Sequence, residues 1–157
     1  AINIPADFFL DEEYLPRVDE RVLAYRKLAA ADDLESVDRL QEETEAAHGE
    51  LPQAGLNLFD RARIRIRAER LGLESVTLSG GRLTFLGVDV PKNVAFDLKD
   101  RLGAVVFPRS RKLSIPYRTG AGAGSGVGRG LNADDERGPV AAALAVLCQL
   151  GASGDDD

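Results

Sequence analysis

Apolar residues recur at helical spacing through the first half of the chain, where they predict three helices. A short strand over 2–4 precedes them, because Ile2 and Ile4 alternate with a polar residue. The first helix covers about 17–31, and its apolar residues share one side of the helix. This stripe consists of Val18, Val22, Tyr25 and Ala29.

The second and third helices carry their own start and stop signals. Asp32 can cap the second helix, with Glu35 three residues further on as in a capping box, and Gly49 can end it. Pro52 suits the first turn of the third helix, which extends to about residue 71. The inner face of the second helix consists of Leu34, Val37, Leu40, Thr44 and Ala47.

The apolar period then changes to that of strands. Two alternating runs, 76–78 and 83–85, flank a Gly-Gly pair at 80–81, which is a strong hairpin signal. Pro91 opens a fourth helix, with Val94, Leu98 and Leu102 on its inner face.

Two further strands follow the fourth helix, over 104–107 and 112–117. In the second strand Leu113, Ile115 and Tyr117 share one face. Because Pro116 has no N–H for a ladder, we predict this strand at a sheet edge.

Together these elements predict an α+β fold, in which an N-terminal three-helix layer packs with a small, mostly antiparallel sheet and further helices. The Gly, Ala and Ser residues of the next segment predict a flexible linker before a last apolar helix. The predicted divisions are a domain over 1–118, a linker over 119–132, a C-terminal helix over 133–151 and an acidic tail over 152–157.

Composition and charge exclude several classes of function. The formal net charge of −6 argues against a nucleic-acid module that acts through charge alone. A single cysteine excludes an internal disulfide and suggests a reducing compartment. No apolar run approaches the roughly 20 residues that span a bilayer, so we expect a cytoplasmic protein without membrane contact. The abrupt start at a predicted strand suggests a piece of a longer protein.

The sequence predicts no catalytic residue, metal site or cofactor. Glycines stand at every second position from 120 to 128, which gives no G-x-G-x-x-G register and no Gly-Lys-Ser/Thr, so a linker is favoured over a phosphate loop. His48 is better explained as a residue at a helix C-terminus, and Cys148 as a small core residue. An enzyme that uses His48 is the weakest interpretation, because no partner residue is at hand.

Two charged surfaces are candidates for binding. Arg63, Arg67 and Arg70 share a face of the third helix, which could contact phosphates or an acidic partner, or simply pair with the acidic second helix. The second helix carries Glu35, Asp38, Glu42, Glu43 and Glu45. These carboxylates could form a solvated face or contact arginines on another domain, and Glu42 with Glu45, at i,i+3 spacing, could bind a cation loosely.

The chain resembles the C-terminal regulatory domain of bacterial transcription-repair coupling factor (Mfd). The resemblance is dense from about residue 2 to 73, and its layout extends to about 117. It rests on these segments: Ile4-Pro5, Tyr14-Leu15-Pro16, Arg21, Tyr25-Arg26, Leu28-Ala29, His48-Gly49-Glu50-Leu51-Pro52, Ala62-Arg63-Ile64-Arg65 and Leu71-Gly72.

The resemblance implies a non-catalytic, autoinhibitory role. In the family this domain docks on the UvrB-like N-terminal module of the same protein, which masks UvrA recruitment and restrains the ATP-driven DNA translocase. The whole protein contacts DNA, releases stalled RNA polymerase in the bacterial nucleoid and couples this release to nucleotide excision repair. ATP and Mg²⁺ bind its motor domains, so no cofactor is expected in this chain. A DNA- or polymerase-contacting module using Arg63, Arg67 and Arg70 is the alternative.

The resemblance also implies the docking residues. The family contact uses a Glu-x-x-Asp pair near the end of the second helix, which meets arginines of the UvrB-like module. Glu43 matches the glutamate, whereas Ala46 stands at the aspartate position. Glu42 and Glu45 are candidates to replace the missing carboxylate.

Overall fold

The computed structural model describes residues 2–102, 107–118, 131–132 and 138–154. These residues form an α+β fold, which confirms the predicted class. The helices are α1 (Val18–Ala30), α2 (Leu34–His48), α3 (Gln53–Leu71), α4 (Lys92–Leu102) and α5 (Gly138–Gly154). The strands are β1 (Ile2–Asn3), β2 (Ser75–Ser79), β3 (Arg82–Leu86), β4 (Phe107–Arg109), β5 (Lys112–Arg118) and β6 (Leu131–Asn132).

The chain forms two compact units. We call Ala6–Ile66 the helical unit, and Ala1–Pro5 with Arg67–Asp157 the sheet unit. The helical unit contains α1, α2 and most of α3 around one apolar cluster. Its buried members are Leu10, Leu15, Ala24, Leu28, Ala31, Val37, Leu51, Phe59, Ala62 and Ile66.

Helix α1 buries a different side from the predicted stripe. Ala24 and Leu28 are its buried residues, whereas Val18 is 63% exposed and Val22 is 42% exposed. Tyr25 lies at the same surface, where its hydroxyl accepts a hydrogen bond from the Leu10 N–H at 2.8 Å. Helical spacing defines a stripe, but the neighbouring elements decide which stripe is covered.

Helix α2 begins one residue later than its predicted cap implies. Asp33, rather than Asp32, is the N-cap, and its Oδ1 accepts a hydrogen bond from the Ser36 N–H at 2.7 Å. The cap must immediately precede the first helical residue, Leu34, so that its side chain reaches the free N–H groups. Gly49 ends the helix at a φ of 89°, which confirms the predicted terminator.

The sheet unit contains a mixed sheet with the strand order β1-β2-β3-β5-β4, in which β6 also pairs with β5. The pairs β2–β3, β3–β5 and β4–β5 are antiparallel, and β1–β2 and β5–β6 are parallel. Gly80 and Gly81 form the predicted two-residue turn, with φ values of 58° and 72°. Positive φ at both positions matches the twist of a hairpin, so the Gly-Gly signal is confirmed.

The predicted edge position of β5 is wrong, because β5 lies between β3 and β4. Pro116 is accommodated because, among the described residues, the β4 pairs end at Ser114 and the β6 pairs begin at Tyr117. The Tyr117 N–H donates to the Gly81 carbonyl oxygen at 2.8 Å, on the β3 side. Successive backbone N–H groups of a strand point to opposite sides, so the Pro116 nitrogen faces the side of β4 and β6, where no described residue pairs with it.

The last helix packs against α4 within the sheet unit. Val140, Ala143, Val146 and Leu147 form its fully buried side. Of the linker predicted over 119–132, residues 131–132 form β6 and residues 119–130 lie outside the described residues. The start of the predicted fourth strand, 104–106, and the last three aspartates also lie outside them. Helix α5 extends to Gly154, into the acidic tail predicted over 152–157.

Candidate functional site

The carboxylates of α2 point in three directions, because successive residues turn by about 100° around a helix. Asp38 and Glu45 lie toward α3. Glu42 lies on the outer side and is exposed, as is Ala46. Glu43 is also exposed, but it lies toward α1.

The side of α2 that faces α3 is engaged within the helical unit. The guanidinium of Arg63 donates to Asp38 Oδ1 from Nε at 3.0 Å and from Nη2 at 2.9 Å. It also donates to Gln41 Oε1 at 2.6 Å and to Asp60 Oδ1 at 2.9 Å. Only 16% of the Arg63 side chain is exposed, so this residue connects α2 and α3.

Glu45 has a local structural contact at the end of α2. Its Oε2 accepts a hydrogen bond from the Leu51 N–H at 3.2 Å, and its Oε1 accepts one from the Gln41 side chain at 3.3 Å. Both carboxylate oxygens therefore bind groups of the same unit. Of the four predicted docking positions, Glu42, Glu43 and Ala46 are exposed and Glu45 is half-buried.

An open groove of about 180 Å³ lies between α1 and α2. Its apolar lining consists of Leu15, Leu23, Ala24, Leu40 and Ala47. Leu23 is 51% exposed, so a large apolar side chain stands at the groove surface. The groove is smaller than the roughly 300–1,000 Å³ of typical small-molecule pockets and is open to solvent.

Charged and polar side chains surround this apolar lining. They are Glu20 and Lys27 from α1, and Glu43, Thr44 and His48 from α2. His48 Nε2 lies 3.8 Å from Glu20 Oε2, so a protonated His48 can form an ion pair across the groove. The only histidine thus has a carboxylate and a ring as its neighbours, since its ring centroid is 5.8 Å from that of Tyr14.

Tyr14 fixes the end of α2 beside the groove. Its hydroxyl donates a hydrogen bond to the Gly49 carbonyl oxygen at 2.6 Å. Burial raises the pKa of Tyr14 above its usual value, and the negative charge of Glu45 raises it further. The hydroxyl therefore remains a neutral donor throughout the neutral pH range.

The predicted basic face is divided between the two units. Arg63 belongs to the helical unit, where its guanidinium contacts Asp38 and Asp60. Arg67 and Arg70 belong to the sheet unit, in which Arg67 is half-buried and Arg70 is exposed. The pairing of Arg63 with α2 agrees with the interpretation that this face interacts with the acidic second helix.

Other candidate chemistry finds little support in the described part of the chain. Within it, no three His, Cys, Asp or Glu residues are placed to hold a metal ion. Cys148 is a half-buried residue of α5. Across the same residues, no helix combines the length and the apolar character needed to cross a membrane.

Sequence reasoning did not identify the α1 side of the groove. Glu20, Leu23, Ala24 and Lys27 follow the spacing i, i+3, i+4 and i+7, which places them on one side of a helix. A stripe that mixes apolar and charged residues is a weak sequence signal for an inner side of a helix. The more continuous apolar stripe that begins at Val18 predicts a different side of α1.

The geometry defines an α+β domain whose helical unit presents an acidic helix beside an open apolar groove. The family model of the TRCF domain matches residues 4–103, so the chain belongs to the TRCF domain family, the domain of transcription-repair coupling factor. A crystal structure of the C-terminal domain of transcription-repair coupling factor matches with a TM-score of 0.71 and 14% sequence identity. The match covers 100% of this chain and 95% of that one. No curated protein matches the chain.

Proposed function

We propose that this chain is a non-catalytic, autoinhibitory interaction domain that docks through α2. In a transcription-repair coupling factor its partner would be the UvrB-like N-terminal module, and docking would mask UvrA recruitment and restrain the DNA translocase. The effects on RNA polymerase release and on repair would then be indirect. The single observation that carries the proposal is that Glu42, Glu43 and Ala46 are exposed on a helix whose other side is anchored.

The anchoring of α2 supports this proposal physically. Asp33 caps its first turn, Arg63 links its middle to α3, and Tyr14 holds Gly49 at its end. A helix held at three positions presents its exposed carboxylates in a fixed arrangement, which reduces the conformational entropy lost on binding.

The charge of the helical unit supports an arginine-bearing partner. Residues 6–66 contain fifteen acidic side chains and eight basic ones. An excess of negative charge favours encounter with a basic surface. Glu43 contributes directly to this surface, whereas Ala46 contributes no charge.

The direct test is a titration of this chain with the isolated UvrB-like module, followed by calorimetry. An exposed ion pair contributes about 0.2–1 kcal/mol, so we expect Glu43→Arg to raise Kd by about fivefold or more once repulsion is included. Glu35→Arg is the matched control, because Glu35 is also exposed on α2 but lies two turns away. Ala46→Asp should tighten binding by up to about fivefold.

A second measurement concerns regulation in the whole protein. Deleting these residues should raise the basal ATPase activity of the motor, because the restraint is removed. No association with the module, together with an unchanged ATPase after the deletion, would overturn the proposal. Glu43→Arg should leave the far-ultraviolet circular dichroism unchanged, which confirms that the variant is folded.

A further inference from the structure

We propose that the groove between α1 and α2 is an anchor site for one large apolar side chain of the docked partner, carried next to an arginine or lysine. This inference rests on the proposed function, since it specifies what the partner surface must contain. The occupant is a segment of the UvrB-like module with this chemistry. The anchor adds an apolar contact that the carboxylates alone do not provide.

The size of the groove fits one side chain. Its volume is about 180 Å³, and an apolar cavity of roughly 150 Å³ accommodates a benzene-sized group. Leu15, Ala24 and Leu40 form its base, since they are buried or half-buried. Leu23 is 51% exposed, so an occupant would cover apolar surface that water now contacts.

The charges around the groove indicate what must accompany that side chain. Glu20 and Glu43 are acidic, Lys27 is basic, and His48 is within 3.8 Å of Glu20. A basic residue beside the anchor would reach Glu43, which lies on the groove side of α2. An acidic neighbour at the same place would meet the like charge of Glu43, within a unit that carries fifteen acidic and eight basic side chains, and like charges oppose binding.

The groove also explains how docking could proceed although Ala46 stands where the family contact has an aspartate. Ala46 and Ala47 follow each other on α2, with Ala46 on the outer side and Ala47 in the groove lining. Small side chains at both positions allow a partner backbone to approach the helix closely. Burial of an apolar side chain contributes more to affinity than one exposed ion pair.

The test compares two exposed apolar residues of α1 in titrations with the UvrB-like module. Leu23→Ser removes apolar surface from the groove, and we expect Kd to rise by about fivefold because half of the side chain remains to be buried. Val18→Ser is the matched control, because Val18 is 63% exposed and lies about 140° around the helix from Leu23. It should bind as the unchanged chain does.

A second variant fills the groove instead of removing apolar surface from it. Ala47→Trp places a large ring where the anchor would lie, and we expect Kd to rise by more than about tenfold. If Leu23→Ser and Ala47→Trp bind like the unchanged chain while Glu43→Arg weakens binding, the anchor is wrong and the docking function stands. If the unchanged chain does not bind the module, the anchor proposal fails, and the docking function fails with it when the deletion also leaves the ATPase unchanged.

Sedimentation of the chain alone tests whether a second copy of the chain, rather than the partner, occupies the groove. The proposal predicts a monomer whose mass does not respond to Leu23→Ser. A dimer that this substitution dissociates would show that a second copy fills the groove, and would overturn the assignment. Circular dichroism and thermal unfolding of each variant establish that lost binding is not lost folding.

Discussion

The contact between α2 and α3 through Arg63 leads to a quantitative prediction about the stability of the fold. Replacing Arg63 by Met removes the guanidinium and retains an unbranched apolar side chain of similar shape. Asp38 is 58% exposed, so its pair with Arg63 is worth about 0–1 kcal/mol. Asp60 is only 22% exposed, and a hydrogen bond to a charged group in such a place contributes about 1.5–3 kcal/mol.

The expected cost of Arg63→Met is therefore about 2–3 kcal/mol in the free energy of unfolding, or roughly 5–10 °C in Tm. Urea unfolding followed by circular dichroism measures it. Asp38→Asn should cost less than about 1 kcal/mol, because that carboxylate is largely hydrated already. A cost of Arg63→Met below about 0.5 kcal/mol would refute the reasoning and would show that the guanidinium contributes little to the link.

Two further predictions concern the ends of α2. Asp33→Ala should lower the free energy of unfolding by about 1 kcal/mol, measured by thermal unfolding, because Asp33 accepts a hydrogen bond from the helix N-terminus. Asp32→Ala should cost little, since Asp32 is not the N-cap. Equal effects of the two substitutions would contradict the assignment of the cap. Because folding raises the pKa of Tyr14, its contribution to the free energy of unfolding is complete at pH values below its unfolded pKa of 10.0. We expect this contribution to decline as the pH rises through the higher folded pKa. Tyr14→Phe should cost about 0.5–1.5 kcal/mol at neutral pH and remove that alkaline decline, and a decline that persists in the variant would exclude Tyr14 as its source.

Local signals located most elements of this fold. The Gly-Gly turn and Gly49 were predicted correctly because a positive φ restricts the residue type strongly. Position in the fold was harder to predict. The position of β5 in the sheet depends on pairing with strands distant in sequence. Pro116 gave a misleading local signal, because no described residue of β4 or β6 pairs with it.

The candidate site was predicted only in part, for a similar reason. The sequence identified the acidic second helix, but its carboxylates differ in role because neighbouring elements lie on different sides. Glu45 binds the Leu51 N–H, while Glu43 faces the groove. Leu23 belongs to this site only because α2 packs beside α1, and no pattern within α1 alone contains that information.

Pro116 also affects what β5 can offer to another molecule when the sheet opens. When β4 and β6 separate from β5, the backbone on that side of β5 is free to recruit a strand from another molecule. Such recruitment requires consecutive N–H donors along a free side of a strand. The proline nitrogen faces that side and donates nothing, so a strand added there would lack a hydrogen bond at Pro116. We therefore expect the proline that gave a misleading signal about strand order to weaken the pairing of an opened β5 with another chain.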